Sequence, residues 1–435
     1  MPLPVDLVEQ ALSQYLSLFR DSFSRPQWQQ FVTVLLALMQ CEEHRTLSAL
    51  QRQVAGVGHR IDGLHRFLKF APWQPERLAA RWWRHYCDSL GPLVAAEYAR
   101  QHTLRPVRRG RPRKTVVTGF LILDDSTHAK RKGKKMEGLG VHYSTTEGRP
   151  IKGHSMLAGL YVLLGRRCPL APQLYRDKAA CEREKVPFRS KIDLAEELVR
   201  TFEPVPDTRT HLLMDSWYAC RRIWRAALGR AWVVTAGLKA NRKMRVDDPE
   251  QGRVYRSLSG YAAGLTDDDF EQVPWPHQDG TPRLVYAHRI KTFIKKLGPC
   301  QLLVVRERLH QPLKEVRYWA TSDKQADLVT VIGWAAQRWA IEPLFDDVKE
   351  LFGTDHYQLR SAKGLIRFWH LAFLAYCYLE EQRALLVAQG ADLGMTIGET
   401  RLDQQRRHRR LLLNWIHDRF NEGLTPEHVD QLLAA

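Results

Sequence analysis

Hydrophobic and polar positions follow different periods in different parts of the chain. Across residues 4–100 apolar side chains recur every three or four positions, which is the spacing of amphipathic helices. Residues 115–123 instead form a continuous apolar run rich in β-branched residues, typical of a buried strand. The same reasoning predicts strands near 141–145, 155–164, 211–214 and 231–236, and helices at 190–202 and 223–228. This order predicts a mixed α/β sheet with helical crossovers.

The pattern changes again in the second half of the chain. Residues 240–322 alternate apolar and polar positions between Pro, Gly and Asp, so we expect an inserted all-β unit that is mostly antiparallel. Helical periodicity returns at 326–352 and 361–389, and the basic segment 401–416 is also predicted to be helical.

Composition excludes several classes of protein. Of the 435 residues, 44% are hydrophobic and 26% are charged, which is ordinary for a globular chain and excludes disorder as its main state. No apolar run approaches the ~20 residues that cross a bilayer, and the N-terminus has no signal-like segment. The seven cysteines form no CxxC pair, so neither a disulfide framework nor a zinc site is expected. We therefore expect a cytoplasmic protein that does not contact membranes.

Charge is the property that departs from the ordinary. The chain has 66 Lys and Arg against 48 Asp and Glu, a net charge of +18. Residues 101–153 hold 13 of the basic and 4 of the acidic residues, so half of the excess lies in this short segment. Such an excess attracts polyanions, which favours nucleic acid as a partner over a merely solvated basic surface.

Three basic segments are candidates for that contact. Residues 105–114 form a Pro- and Gly-broken linker whose RGRP core resembles an AT-hook, with Arg111 and Arg113 as minor-groove residues. The simpler interpretation is a basic linker that touches phosphates only. The other candidates are Lys130, Arg131, Lys132, Lys134 and Lys135 of a predicted loop and Lys239 and Arg242 after the strand at 231–236. For these also, a solvated basic face is the alternative.

Carboxylates follow two of the predicted strands. Asp125 comes after the strand at 115–123, and Asp215 comes after the strand at 211–214. Ligands of open α/β sheets bind at the carboxyl ends of strands, so acids placed there are candidate functional groups. The alternative for each is a turn former or a helix cap.

A third carboxylate lies on a predicted helix. Arg338, Glu342, Asp346 and Lys349 share one helical stripe. Alone, this stripe is best interpreted as a surface ladder of ion pairs. Together with Asp125 and Asp215, Glu342 completes a possible three-acid cluster. Hard oxygen ligands of this kind suit two Mg²⁺ ions that act on a phosphodiester.

These motifs resemble the DDE transposases of bacterial insertion sequences. The branch in question has the signature Tyr-x2-Arg-x3-Glu-x6-Lys, which Arg338, Glu342 and Lys349 match at full spacing, while Ala335 replaces the tyrosine. LDDST resembles the first acidic motif and points to Asp125 rather than Asp124, and Asp215 in DSWYA fits the second. A β insertion between the second and third acids is shared by these relatives. The resemblance spans most of residues 45–380.

The resemblance implies a fold and a chemistry. We expect an RNase H-like mixed sheet flanked by helices, with Asp125, Asp215 and Glu342 as catalytic and metal-binding residues. The implied cofactor is a pair of Mg²⁺ ions, for which Mn²⁺ substitutes, and Arg338 and Lys349 would contact phosphates. The implied function is cut-and-paste transposition by a nucleoid-associated protein that binds double-stranded DNA at inverted repeats and works as a synaptic homodimer.

Two alternatives remain beside an active transposase. One is a catalytically inactive transposase-derived DNA-binding protein or repressor, and the other is a structure-selective nuclease without strand transfer. The predicted domains are an N-terminal helical DNA-binding domain (1–104), a basic linker (105–114), an RNase H-like core (115–239 and 323–389), a β-rich insertion (240–322) and a basic helical C-terminal tail (390–435).

Overall fold

The computed structural model describes residues 3–4, 7–55, 61–103, 116–144, 147–276, 281 and 283–434. The basic linker, with Arg111 and Arg113, lies outside the described residues, so its role in DNA binding stays a prediction. Within the described ranges, no helix combines the length and apolar character that a bilayer span needs.

The N-terminal region is helical, as its periodicity predicts. Its elements are β1 (Leu3–Pro4), α1 (Gln10–Ser17), α2 (Arg25–Gln40), α3 (Leu47–Gln51), β2 (Val54–Ala55), α4 (Ile61–Lys69) and α5 (Pro75–Thr103). Helix α2 begins with a capping box in which the Ser24 backbone N–H donates to the side chain of Gln27.

The middle of the chain builds the central sheet. Its elements are β3 (Thr118–Ala129), β4 (Gly140–Ser144), β5 (Arg149–Leu163), β6 (Arg166–Pro169), β7 (Gln173–Tyr175), α6 (Lys178–Glu184), α7 (Lys191–Thr201), β8 (Arg209–Met214), α8 (Arg221–Gly229) and β9 (Val233–Leu238). The predicted strands and helices are all present, and the short β6, β7 and α6 are additions.

The strand order of this sheet is that of the RNase H-like fold. The strands lie in the order β4, β5, β3, β8, β9, with β3 antiparallel to β5 and parallel to β8, and with β8 parallel to β9. Helices cover both faces. The predicted fold class, an α/β RNase H-like mixed sheet with an N-terminal helical region, is confirmed.

The insertion extends the same sheet and does not form a separate layer. It contains β10 (Lys243–Asp248), β11 (Gly252–Ser257), α9 (Leu258–Ala262), β12 (Glu271–Trp275), β13 (Arg283–Ile294), β14 (Gly298–Arg306) and β15 (Arg317–Thr321). Strand β15 returns to pair antiparallel with β9, and Trp319 lies opposite Gly237. The unit is antiparallel as predicted, but α9 means that it is not entirely β.

The C-terminal part is helical. Its elements are α10 (Leu328–Gln337), α11 (Ile341–Glu350), α12 (Ala362–Ala388), α13 (Ile397–Asn421) and α14 (Pro426–Ala434). The segment predicted as one helix at 326–352 is interrupted by a 3₁₀ turn at Arg338–Ala340. Pro343 accounts for this break, because it has no N–H to donate to the carbonyl of Trp339 one turn earlier.

Helix α12 is the centre of the hydrophobic core. Most of its side chains are buried, and α2, α4 and α5 all pack against it. One continuous apolar cluster joins the N-terminal helices to the central sheet. The N-terminal helices thus share a core with the sheet. That residues 1–104 form a separate domain, and the other predicted domain boundaries, stay predictions.

A buried arginine fixes the N-terminal helices to α12. The guanidinium of Arg367 donates to the carbonyl oxygens of Leu68 at 3.0 Å and Ala71 at 2.6 Å, and also to those of Phe67 and Trp73. The same group lies 4.5 Å from the centroid of the Trp73 ring. Burial lowers the pKa of Arg367 to about 10, which leaves it charged at neutral pH.

Replacing this arginine is expected to destabilise the protein. Arg367→Met keeps the bulk of the side chain but leaves buried carbonyls at the end of α4 without donors, which costs on the order of 3 kcal/mol. Thermal unfolding measures the loss. Lys363→Met, at an exposed position of the same helix, is the control and is expected to leave the melting temperature nearly unchanged; equal melting temperatures for the two variants would contradict the role given to Arg367.

Candidate active site

Parallel pairing of β3 with β8 brings three aspartates to one region of the sheet. Leu123 lies opposite Met214, the last residue of β8. The next residues along the two chains are Asp124 and Asp215. Strand β3 does not stop there as predicted, because its pairing with β5 continues to Ala129. Asp124 and Asp125 therefore lie within β3, at the level where its parallel partner β8 ends, and Asp215 directly follows that end.

The two neighbouring aspartates of β3 point to opposite faces of the sheet. Successive side chains of a strand alternate between faces. The Asp124 carboxylate accepts a hydrogen bond from Arg338 Nη1 at 3.1 Å, on the face covered by α11. The Asp125 carboxylate instead accepts from the Tyr218 hydroxyl at 2.6 Å and from Ser155 Oγ at 3.3 Å, and it forms an ion pair with Lys191.

Arg338 joins the first strand to the helix that carries the third acid. Its second terminal nitrogen, Nη2, donates to Glu342 Oε1 at 3.0 Å. One guanidinium thus bridges Asp124 and Glu342, which are more than two hundred residues apart in sequence. The 3₁₀ turn before α11 positions Arg338 for this bridge. The forked geometry of guanidinium suits two separate carboxylates.

Asp215 is held by the turn that follows it. Its Oδ1 accepts hydrogen bonds from the backbone N–H groups of Trp217 at 2.9 Å and Tyr218 at 3.2 Å. The side chain of Tyr218 then reaches Asp125, so the two faces of the sheet are connected through this turn. Lys191, at the first position of α7, completes the contacts of Asp125 from the opposite side.

The carboxylates carry more negative charge than their surroundings balance. Burial first, and then the nearby charge of Asp215, together raise the pKa of Asp124 to about 7 against the opposing effect of Arg338. Burial also raises the pKa of Asp215, against the two backbone hydrogen bonds that lower it. Like charges close together in a poorly solvated site produce such shifts. A cation added at this site would relieve the imbalance.

The donor set fits a divalent cation. Asp124, Asp215 and Glu342 are hard oxygen donors that meet at one edge of the sheet, which is the chemistry Mg²⁺ prefers. Within the described residues, however, no three His, Cys, Asp or Glu side chains are already grouped as a metal site. The guanidinium of Arg338 lies between Asp124 and Glu342, so these two carboxylates can share an ion only after Arg338 turns away.

The structure gives the two candidates for the first acid different surroundings. The sequence motif points to Asp125, which stays a prediction, whereas the side chain that Arg338 links to Glu342 is that of Asp124. Asp125 is engaged by Lys191, Tyr218 and Ser155 on the other face. The motif does not show which face each residue takes, because the pairing register decides that.

The predicted DNA contacts have different fates in the structure. Lys130 is turned inward: Nζ donates to the carbonyl oxygens of Asp355 and Tyr357 and lies 4.0 Å from the centroid of the Tyr357 ring. Burial lowers the pKa of Lys130 to about 8. These contacts give Lys130 a structural role, and its contact with DNA stays a prediction.

The remaining basic candidates are more accessible. Arg131 is exposed and paired with Glu147 at 2.6 Å, and three lysines beside it are exposed, namely Lys132, Lys134 and Lys135. Arg242 donates to the carbonyl of Ala219, whereas Lys239 is exposed. Lys349 lies close enough to the buried His128 to help burial lower the pKa of that imidazole. Contact of these residues with DNA stays a prediction.

Sequence reasoning missed the residues that hold Asp125. Ser155 lies inside a predicted strand and Lys191 at the start of a predicted helix, positions that carry no chemical signature. Tyr218 follows Asp215 by three residues, a spacing at which a turn brings the backbone back to the carboxylate. That spacing is the one signal available from the sequence.

Comparison with known families agrees with this geometry. Residues 18–263 match the model described as DDE superfamily endonuclease, and residues 189–378 match the model described as transposase DDE domain. The first match covers more than half of the chain. The chain belongs to the DDE superfamily of endonucleases, and the resemblance to DDE transposases seen in the sequence is confirmed. No curated protein matches the chain.

The charge imbalance predicts a pH-dependent effect of removing Asp124. Its pKa is raised on folding, so the folded protein binds the extra proton and loses that stabilisation as pH rises through about 7. In EDTA, Asp124→Asn is therefore expected to gain stability relative to the unmodified protein, by roughly 3 kcal/mol, between pH 5 and pH 8. Urea unfolding at both pH values measures this difference.

Asp21→Asn serves as the control, because the Asp21 side chain is 84% exposed. Its effect on the free energy of unfolding is expected to be the same at both pH values. A pH-independent effect of Asp124→Asn would show that Arg338 fully balances the buried carboxylate.

Proposed function

We propose that this protein is a DNA transposase that cuts transposon ends by Mg²⁺-dependent hydrolysis and joins them to target DNA. The observation that carries the proposal is the convergence of Asp124, Asp215 and Glu342 at one edge of the sheet, with Arg338 joining two of them. Membership of the DDE endonucleases supports the nuclease activity. Strand transfer, a cut-and-paste pathway and a synaptic homodimer are part of the proposal.

The proposed reaction begins with hydrolysis at the transposon end. Water attacks the phosphorus, the bond to the 3′ oxygen breaks, and the products are a 3′-OH and a 5′-phosphate. The 3′-OH then attacks a phosphodiester of the target and displaces its 3′ oxygen. Asp124, Asp215 and Glu342 would hold divalent cations, which would supply charge stabilisation of the attacking and leaving oxygens, and Mn²⁺ is expected to replace Mg²⁺.

The side chains of the site have separate tasks in this proposal. Asp124, Asp215 and Glu342 hold the cations. The planar guanidinium of Arg338 can bind two phosphate oxygens in the same way as it now binds two carboxylates. Its position beside Asp124 and Glu342 is therefore where we expect it to contact a phosphate of the substrate. Lys349, on the same helix as Glu342, adds a second positive charge. Asp125 orients Tyr218, whose backbone N–H in turn fixes Asp215.

Neutralising the cation-binding carboxylates is expected to stop cleavage and leave DNA binding intact. Asp124→Asn, Asp215→Asn and Glu342→Gln each remove several kcal/mol of transition-state stabilisation, which corresponds to a loss of about a thousandfold or more in rate. The substrate is end-labelled DNA that carries the inverted repeats flanking the gene. Denaturing gels with and without Mg²⁺ separate nicks, hairpins and joined products.

Asp125→Asn is the matched variant for the first acid. It is expected to keep measurable cleavage, because the residue acts through Tyr218 and does not hold a cation. If Asp125→Asn abolishes cleavage while Asp124→Asn retains it, the first acid is Asp125. If the unmodified protein binds repeat DNA but never cuts it in Mg²⁺ or Mn²⁺, the protein is instead a non-catalytic DNA-binding relative.

A further inference from the structure

A groove of about 370 Å³ lies beside Asp215, where the central sheet meets the insertion. We call it the cationic groove. Its lining residues are Ser216, Trp217, Lys239, Asn241, Arg242, Lys243, Lys295 and Lys296. Two of them directly follow Asp215 in sequence. The groove is therefore continuous with the edge of the sheet that carries the acids.

Positive charge in the cationic groove is not balanced locally. Five of its eight lining side chains are cationic and none is acidic. None of the five forms an ion pair with another residue in the part of the chain that the structure describes. Lysines held together without counter-charge repel one another and attract a polyanion.

The fold itself gathers these cations from distant parts of the chain. Lys239 follows β9, Lys243 begins β10, and Lys295 and Lys296 form the turn between β13 and β14. The backbone N–H of Lys295 donates to the carbonyl of Lys243 at 2.9 Å, which fixes the turn against β10. Lys296 adopts a left-handed conformation with φ of 76°. The insertion is thus attached to the core in a way that keeps the charges together.

Trp217 provides an aromatic wall of the cationic groove. Its side chain is 47% exposed, unusual for so large an apolar group, and its backbone N–H donates to Asp215. Lys191 Nζ lies 5.7 Å from the centroid of the indole ring. Cations that follow a phosphate backbone, next to an exposed ring on which a base stacks, are the two components of single-strand binding sites.

We propose that the cationic groove binds an unpaired DNA strand as it leaves the catalytic acids. Its phosphates would meet Lys239, Lys243, Lys295 and Lys296, and one base would stack on Trp217. This inference rests on the proposed function, because the acids define where the strand is cut.

The charge of the groove is tested by binding in EDTA, where no cleavage occurs. Lys295→Gln with Lys296→Gln removes two charges and keeps side chains of similar length. The probes are a fluorescein-labelled single strand and the same sequence as a blunt duplex. Loss of two phosphate contacts is expected to reduce the slope of log affinity against log salt by about 1.4 for the single strand, and its affinity on the order of tenfold at 0.1 M salt.

The insertion offers a matched control pair. Arg308 and Lys314 are exposed and lie beyond the opposite end of β14 from the groove. Arg308→Gln with Lys314→Gln removes the same charge from the same unit. This pair is expected to change neither the affinity for the single strand nor the salt slope beyond a small fraction of the effect seen at the groove.

The aromatic wall is tested separately. Trp217→Ala is expected to weaken single-strand binding about fivefold or more, and Trp217→Phe to restore most of it, since stacking needs a ring and not an indole. A general loss of structure would not be rescued by Phe and would lower the melting temperature of both variants.

Several outcomes would overturn the inference. One is single-strand affinity that is unchanged in both groove variants, and another is an equal loss for the blunt duplex, which would make the groove a duplex surface. Mg²⁺-dependent cleavage by the unmodified protein, measured beside the binding assays, separates the two proposals. If Mg²⁺-dependent cleavage is absent but the groove variants lose binding, the proposed catalysis fails and the groove stands.

Discussion

The bridge of Arg338 between Asp124 and Glu342 is the interaction on which the arrangement of the site depends. The Asp124 side chain is 18% exposed and that of Glu342 is 40% exposed, and with Asp215 beside Asp124 these carboxylates would otherwise repel one another. Arg338 balances part of that charge, yet the pKa of Asp124 still rises to about 7. A cation of the protein itself thus holds the site together, and the site retains a deficit of positive charge that fits its proposed cofactor.

Much of the fold follows from patterns that are local in sequence. Residues 121–123, 211–214 and 232–236 are buried on both faces of the sheet, so their apolar side chains are continuous in sequence and identify these strands. Glu342 is identifiable because Arg338 and Lys349 stand at fixed spacing from it.

Other features depend on register and tertiary packing, which a single sequence does not encode in any local pattern. Asp124 and Asp125 differ only in the face they take, and pairing with β5 and β8 decides it. Lys130 is indistinguishable in sequence from the exposed lysines near it, yet Asp355 and Tyr357 draw it inside. The same holds for Lys191, whose partner Asp125 becomes visible only after α7 is placed over the sheet.

The return of β15 to β9 gives the insertion its place in the proposed mechanism. Because this pairing makes the insertion an extension of the central sheet, its turns are held at fixed distances from the carboxyl ends of β8 and β9. A backbone hydrogen bond joins the turn at Lys295 and Lys296 to Lys243. The position of the cationic groove relative to Asp215 is therefore fixed by the pairing of the sheet. The carboxylates proposed to bind cations and the lysines proposed to bind phosphates therefore lie next to each other on one rigid sheet. A DNA strand is a ligand that can contact both, because its phosphates bind lysines and also the cations held by carboxylates.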